Sequence, residues 1–250
     1  MKRLLAIALV LLLLLTASAS AYTDSQLRTA DALYRLGLFL GTGSTYALDQ
    51  ELTRAQGITL LVRMLGKEKQ AQSGTHSHPF GDVDAWADPY VGYAYENKLT
   101  DGTSATTFSG SATMTDQMFL TLCLRALGYD DKKASPDFTY KQAREFARKL
   151  HLTESDRADA SFTRGEAVEV FWTLLNMKKS GSEKTLAQTL IDQKVFTEAD
   201  WSKAVSIRKN GRTSADGTGE TKSAPAKTQE QTPAKQGPQA QAYELPMDVL

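Results

Sequence analysis

The chain has a single cysteine, Cys123, so no internal disulfide can hold it and any fold must rest on a hydrophobic core. It has only three histidines, and no Ser/His/Asp set of any specificity can be assembled from them. His76 and His78 flank one serine in a polar stretch without a further close ligand, and His151 stands alone, so no metal site is expected. Paired carboxylates in a glycosidase-like setting are missing; Asp130-Asp131 and Ser155-Asp156 read as loop residues. The glycines around Thr42 follow no strand and lack the Lys-Ser or Lys-Thr ending of a phosphate loop, so they read as an inter-helix turn. Neither catalysis nor a cofactor is expected. An excess of one charge is also missing, since 29 basic and 29 acidic residues cancel. That balance removes the electrostatic reason to expect nucleic acid or an acidic membrane surface as a partner.

Long apolar runs occur once. Leu4 to Leu15 follows Lys2 and Arg3 and leads into Thr-Ala-Ser-Ala-Ser-Ala, which has the three parts of a secretory signal peptide. The run is shorter than the roughly 20 residues a membrane helix needs. Cleavage is expected after Ala21, or after Ala19, and leaves 27 basic against 29 acidic residues. The product is expected to be exported and soluble.

What is present is a repeat. TRAQGITLLVRMLG from residue 53, TDQMFLTLCLRALG from 115 and TRGEAVEVFWTLLN from 163 align without a gap. Ile58, Leu61, Val62 and Leu65 fall over Leu120, Cys123, Leu124 and Leu127, and over Val168, Phe171, Trp172 and Leu175. That i, i+3, i+4, i+7 stripe predicts three amphipathic helices. Thr53 with Gln56 and Thr163 with Glu166 have capping-box spacing, whereas Thr115 faces Met118 and has only Asp116 to suit the helix dipole. Cys123 sits on the stripe as a small buried apolar residue. A second helix is predicted upstream of each, within 30–43, 90–102 and 140–153, with exits near Gly41 and Gly102. Tyr46 and Phe108 each precede a capping threonine by seven residues, so each loop is expected to bury one aromatic. Residues 183–205 read as one or two short helices with Thr197 and Asp200 as a capping pair. From 206 the composition turns to Gly, Ser, Thr, Ala, Pro, Lys and Gln, which predicts a disordered tail.

Phe80-x-Asp82-Val83, Trp86-Ala87, Gly102 and Phe108, followed by the capped helix, resemble an S-layer homology repeat. Thr53-Arg54-Ala55-Gln56 and Thr163-Arg164-Gly165-Glu166 resemble the helix start of the same family in the outer two copies. The resulting division is a signal peptide at 1–21, repeats at 22–70, 78–130 and 136–178, a helical appendage at 183–205 and the tail at 206–250. The resemblance implies an all-α, pseudo-threefold, three-lobed module around a central three-helix bundle. It also implies a non-catalytic, monomeric module, open to surface-layer association, that binds a secondary cell-wall polysaccharide, often a pyruvylated one, in grooves between repeats.

Two arginines at helix starts are electrostatically misplaced, because a helix N-terminus already carries partial positive charge. First-turn N–H groups left unpaired, with an arginine fork beside them, would suit a carboxylate on a sugar. Arg54 and Arg164, with Thr53, Gln56, Thr163 and Glu166, are therefore the candidate polysaccharide-binding residues. Trp86 joins them as either a stacking face or a core residue, an ambiguity that Tyr90 and Tyr93 share. The alternative for the arginines is a solvent position or a pairing with Glu51 or Glu166. Asp116 would repel an anion, so the second repeat is expected to have lost its contact. Arg54→Ala and Arg164→Ala are expected to weaken binding, and Asp116→Ala is not. A competing reading makes the helices a secreted scaffold whose tail recruits a partner.

Overall fold

The computed structural model describes residues 22–42, 45–154 and 162–212. The signal-peptide expectation, Ser155-Asp156 and the tail from 213 lie outside the described residues. Among those described, the chain is all-α, with nine helices and no strand, only three isolated bridges. In chain order they are α1 (Asp24–Arg35), α2 (Arg54–Met64), α3 (Glu68–Ser73), α4 (Asp88–Glu96), α5 (Asp116–Ala126), α6 (Ala143–Lys149), α7 (Arg164–Asn176), α8 (Leu186–Asp192) and α9 (Glu198–Asn210).

Threonines set most of the starts. Thr53/Gln56 and Thr163/Glu166 form reciprocal capping boxes, as do Thr23/Gln26, Thr185/Gln188 and Thr197/Asp200. Thr115 accepts only from the Met118 N–H, because methionine has no oxygen to return. Each cap is worth about 1 kcal/mol.

The ends of the first helices differ from expectation. α1, α4 and α6 stop not at Gly41 or Gly102 but just before a leucine, at the left-handed residues Gly37, Lys98 and His151. The N–H of the following Leu38, Leu99 or Leu152 bonds back to Leu33, Ala94 or Ala147 at 2.8–3.0 Å, and the leucine is buried. Gly102 is glycine for a different reason: a Cβ there would lie 2.4 Å from the Phe80 ring and from the Ser104 and Thr107 carbonyls. Lys98 carries a Cβ at φ 57°, so Lys98→Gly is expected to raise stability by up to about 1 kcal/mol in thermal melts.

The main packing of the long helices runs between repeats. α4 lies on α2, α6 on α5, and α1 closes the circle on α7. Each first helix thus pairs with the second helix of the preceding repeat. α2, α5 and α7 are buried on more than the predicted stripe, since Leu60, Met64, Phe119, Ala167 and Leu174 are buried too. Phe119 of α5 meets Phe171 of α7 at 5.0 Å and Phe162 at 4.8 Å, and α2 packs on α5. Burying one such side chain stabilises by roughly 1.5–3 kcal/mol.

α8 and α9 are not an appendage. α9 lies along α1, Trp201 stacks on Trp172 of α7 at 5.2 Å, and Arg35 pairs with Asp200 at 3.1 Å. The helix also runs on to Asn210, past the expected boundary at 206, because Ile207 is buried in the core.

Candidate functional site

The starts of α2 and α7 are where the structure corrects the sequence reading most. Their first-turn N–H groups are already filled by the loop of a neighbouring repeat. Arg54 N donates to Ala112 O and Ala55 N to Gly110 O, both at 2.9 Å, while Gln56 N goes to Thr53 Oγ1 at 3.3 Å. At α7, Arg164 N donates to Gln50 O and Gly165 N to Leu48 O, both at 2.8 Å, and Glu166 N goes to Thr163 Oγ1 at 3.2 Å. No N–H of the first three helical residues is left to receive an anion. Thr53, Gln56, Thr163 and Glu166 act as caps, and none lines the cleft described below.

The arginine side chains follow the same neighbouring loops. Arg54 Nε donates to Phe108 O at 3.0 Å and Nη2 to Asp101 O at 3.2 Å, with the guanidinium 4.9 Å from the centre of the Phe108 ring. Arg164 Nε donates to Tyr46 O at 3.0 Å and lies 5.0 Å from the centre of the Phe39 ring. Tyr46 and Phe108 are the two loop aromatics expected from spacing, and both are buried. The two contacts are therefore one contact made twice, in which an arginine caps the carbonyl of the aromatic in an adjoining repeat. Burial lowers both pKa values, that of Arg164 to about 10 with Arg63 contributing, so Arg164 stays charged at neutral pH. Neither forms an ion pair with a described residue, so the alternative of a pairing with Glu51 or Glu166 is not seen.

Arg54 opens on a cleft of about 370 Å³ between the first two repeats. Ile58, Phe108, Met114 and Leu122 supply apolar walls, Thr100 and Thr103 supply hydroxyls, and Tyr140 contributes a ring from the third repeat. Tyr140 is 45% exposed, in contrast to the buried walls. Arg125 also lines the cleft, but Asp131 and Asp101 hold it at 2.7 and 2.9 Å. Arg54 Nη1 meets only the weak acceptor Met118 Sδ, at 3.7 Å. Arg54 is thus a cation of the cleft that no described carboxylate contacts directly, with the Asp82 carboxylate acting on it only from a distance. Asp82 shapes its wall by accepting the Phe108 and Ser109 N–H groups at 2.7 and 2.8 Å, bonds that hold its carboxyl below the usual range.

Trp86 is half-buried against the core and does not line this cleft. Tyr90 is buried and donates its hydroxyl to Glu68 at 3.0 Å. Asp116 is buried and bound by both arms of Arg144 at 2.6 and 2.8 Å, so at this helix start the guanidinium comes from the opposite repeat. Tyr140 and Arg144 fall in the helix predicted within 140–153, where nothing local says what lies across from it.

Residues 79–115, which include Asp82, Trp86 and Phe108, match the S-layer homology domain family. Over 144 residues the chain is 30% identical to the middle cell wall protein of Brevibacillus brevis, an alignment covering 56% of this chain and 13% of that protein. It is 35% identical over 103 residues to a cell surface protein of Thermoanaerobacter kivui, covering 40% and 14% respectively. An endoglucanase of Bacillus sp. (strain KSM-635) is 31% identical over 107 residues, covering 41% and 11%. The aligned part of this chain therefore corresponds to only 11–14% of these relatives' length.

Proposed function

Starting from a chain that carries an S-layer homology domain and belongs at the cell surface, we propose that it attaches non-covalently, without catalysis, to an anionic secondary cell-wall polysaccharide. The observation that carries this reading is the Arg54 guanidinium, in no ion pair with a described residue, on a cleft that also offers hydroxyls and an exposed aromatic ring. A carboxylate held on a sugar, such as a pyruvyl ketal, supplies the direct ion pair that Asp82 at a distance does not. Walls of low dielectric strengthen the attraction over that in water. The threonine hydroxyls suit sugar hydroxyls, and the Tyr140 face suits a pyranose ring.

The open helix N-terminus plays no part in this account; the side chain alone carries the anion contact. At the second-repeat junction Asp116 holds the Arg144 guanidinium, and this reading assigns no anion contact there. Arg164 lies deeper than Arg54, which makes the Arg54 cleft the principal site.

The test is sedimentation of the purified chain with isolated wall polysaccharide, native and stripped of ketal groups. Stripping is expected to abolish binding. Tyr140→Ala is expected to weaken it about fivefold, corresponding to roughly 1 kcal/mol for an aromatic contact, with the melting curve unchanged. Arg54→Lys, which keeps the charge but loses the fork, is expected to weaken it tenfold or more. Equal binding to native and stripped polymer would sink the proposal.

A further inference from the structure

The two histidines of the segment joining the first repeat to the second are seated in different ways. His76 Nδ1 lies 2.6 Å from Glu96 Oε2, and its Nε2 lies 3.2 Å from Gln70 O. Both partners are acceptors only. A neutral imidazole has one N–H and can serve one of them, so only the doubly protonated ring satisfies both. His78 stands otherwise: its Nδ1 accepts the Phe80 N–H at 3.1 Å while Nε2 faces Asp88 Oδ1 at 3.1 Å, a set complete with a single ring proton.

The His76 seat is built by glycines. A Cβ on Gly92 would lie 2.7 Å from the His76 Cβ, and one on Gly74 would lie 2.5 Å from its Nε2. Gly74 has φ −86°, which any residue can adopt, so the ring's space, not the backbone, requires glycine there. Tyr93 meets the ring edge-on at 5.3 Å. Ser77 N donates to the other Glu96 oxygen at 2.9 Å, so one carboxylate holds two consecutive residues. Through these bonds residues 74–78 tie α3 of the first repeat to α4 of the second. α4 leads directly into Thr100–Thr103 on the cleft wall.

The geometry points to a proton-operated latch: residues 74–78 are fastened between α3 and α4 while His76 carries both ring protons, and loosen when one is lost. The groups facing the ring are Glu96 and Tyr93 from α4 and the Gln70 carbonyl from α3. In agreement, the hydrogen bond to Glu96 raises the His76 pKa and that to His76 lowers the Glu96 pKa. A raised histidine pKa contributes stability that is complete below the unfolded value of about 6.5 and disappears as pH rises through the folded value. A lowered glutamate pKa contributes stability above about 4.5 that is lost as pH falls through the folded value. The latch is therefore tightest between about pH 4.5 and 6.5. It does not depend on the wall-binding proposal.

The test is an NMR titration of the His76 ring in the full chain, with amide-exchange protection factors for residues 75–78 followed across the same pH range. The expected result is a midpoint above 6.5 and a loss of protection that tracks it. Glu96→Gln is expected to move the midpoint down toward the ordinary value. A midpoint at or below 6.5, protection that ignores the titration, or a midpoint unmoved by Glu96→Gln would each overturn the latch.

Discussion

Cutting the chain after Val205 is expected to lower its stability by roughly 4 kcal/mol, whereas cutting after Arg212 is expected to leave it unchanged. The seven residues between the cuts carry three attachments. Ile207 is buried, and removing such a side chain costs about 2–5 kcal/mol. Arg208 pairs with Glu169 at 3.0 Å, on a carboxylate that also accepts the Ser25 and Thr29 hydroxyls. Arg212 pairs with Asp31 at 2.8 Å and donates to the Tyr46 hydroxyl at 3.0 Å. Burial already raises the Asp31 pKa, and Arg212 works against that rise. Without Arg212 the carboxylate is left poorly paired, at about 1–3 kcal/mol.

A carboxyl whose folded pKa is raised holds its proton longer in the folded state, so the shorter chain regains part of its loss as pH falls toward the usual carboxylate range. Thermal melts of the two truncations check this, with an expected separation of about 10 °C from roughly 2–4 °C per kcal/mol in a chain this size. Coincident curves would show that α9 is not part of the core. A deletion meant to remove only the tail has to spare residues 206–212, or it confuses lost folding with lost recruitment.

Arg164→Ala is expected to cost about 3 kcal/mol, independently of any ligand. The substitution strips the Tyr46 carbonyl of its side-chain donor, at about 1–3 kcal/mol, and removes the cation over Phe39, at about 0.5–2 kcal/mol. The relief of no longer burying a charge offsets part of this, since burial already depresses the Arg164 pKa to about 10. Arg164→Lys keeps a donor but lacks the planar face, and an intermediate loss is expected. Urea denaturation of the three proteins checks the order; a loss below about 0.5 kcal/mol for the alanine variant would remove the arginine's structural role. Affinities measured on Arg164→Ala therefore need a folding control, while Tyr140→Ala tests the cleft from a ring at the rim.

The two arginines looked equivalent in sequence, and in one respect they are. Each occupies the first helical position after a capping threonine, and each reaches the loop aromatic of an adjoining repeat. What separates them is burial and surroundings. Arg54 borders an open cleft and Arg164 does not share it. Trp86 illustrates the same limit: its aromatic character was legible, but its half-buried place against the core was not. Tyr140, by contrast, comes from a segment with no binding signature at all.

The sequence by itself determined the all-α class, the three equivalent helices, their threonine starts and the aromatic buried in each of two loops. The helical features rest on contacts within a few residues, such as Thr53 with Gln56, or on a periodicity of 3.6 that one helix displays alone, and the loop aromatics on their repeated spacing from a capping threonine. Only the tertiary structure decided which helices pair, what fills the first-turn N–H groups, and where each guanidinium ends. Those outcomes join positions as distant as Arg54 with Phe108 and Arg164 with Tyr46. A carbonyl brought in from a neighbouring repeat leaves no trace beside the donor it satisfies, so the misplaced arginine could be noticed from sequence but its partner could not.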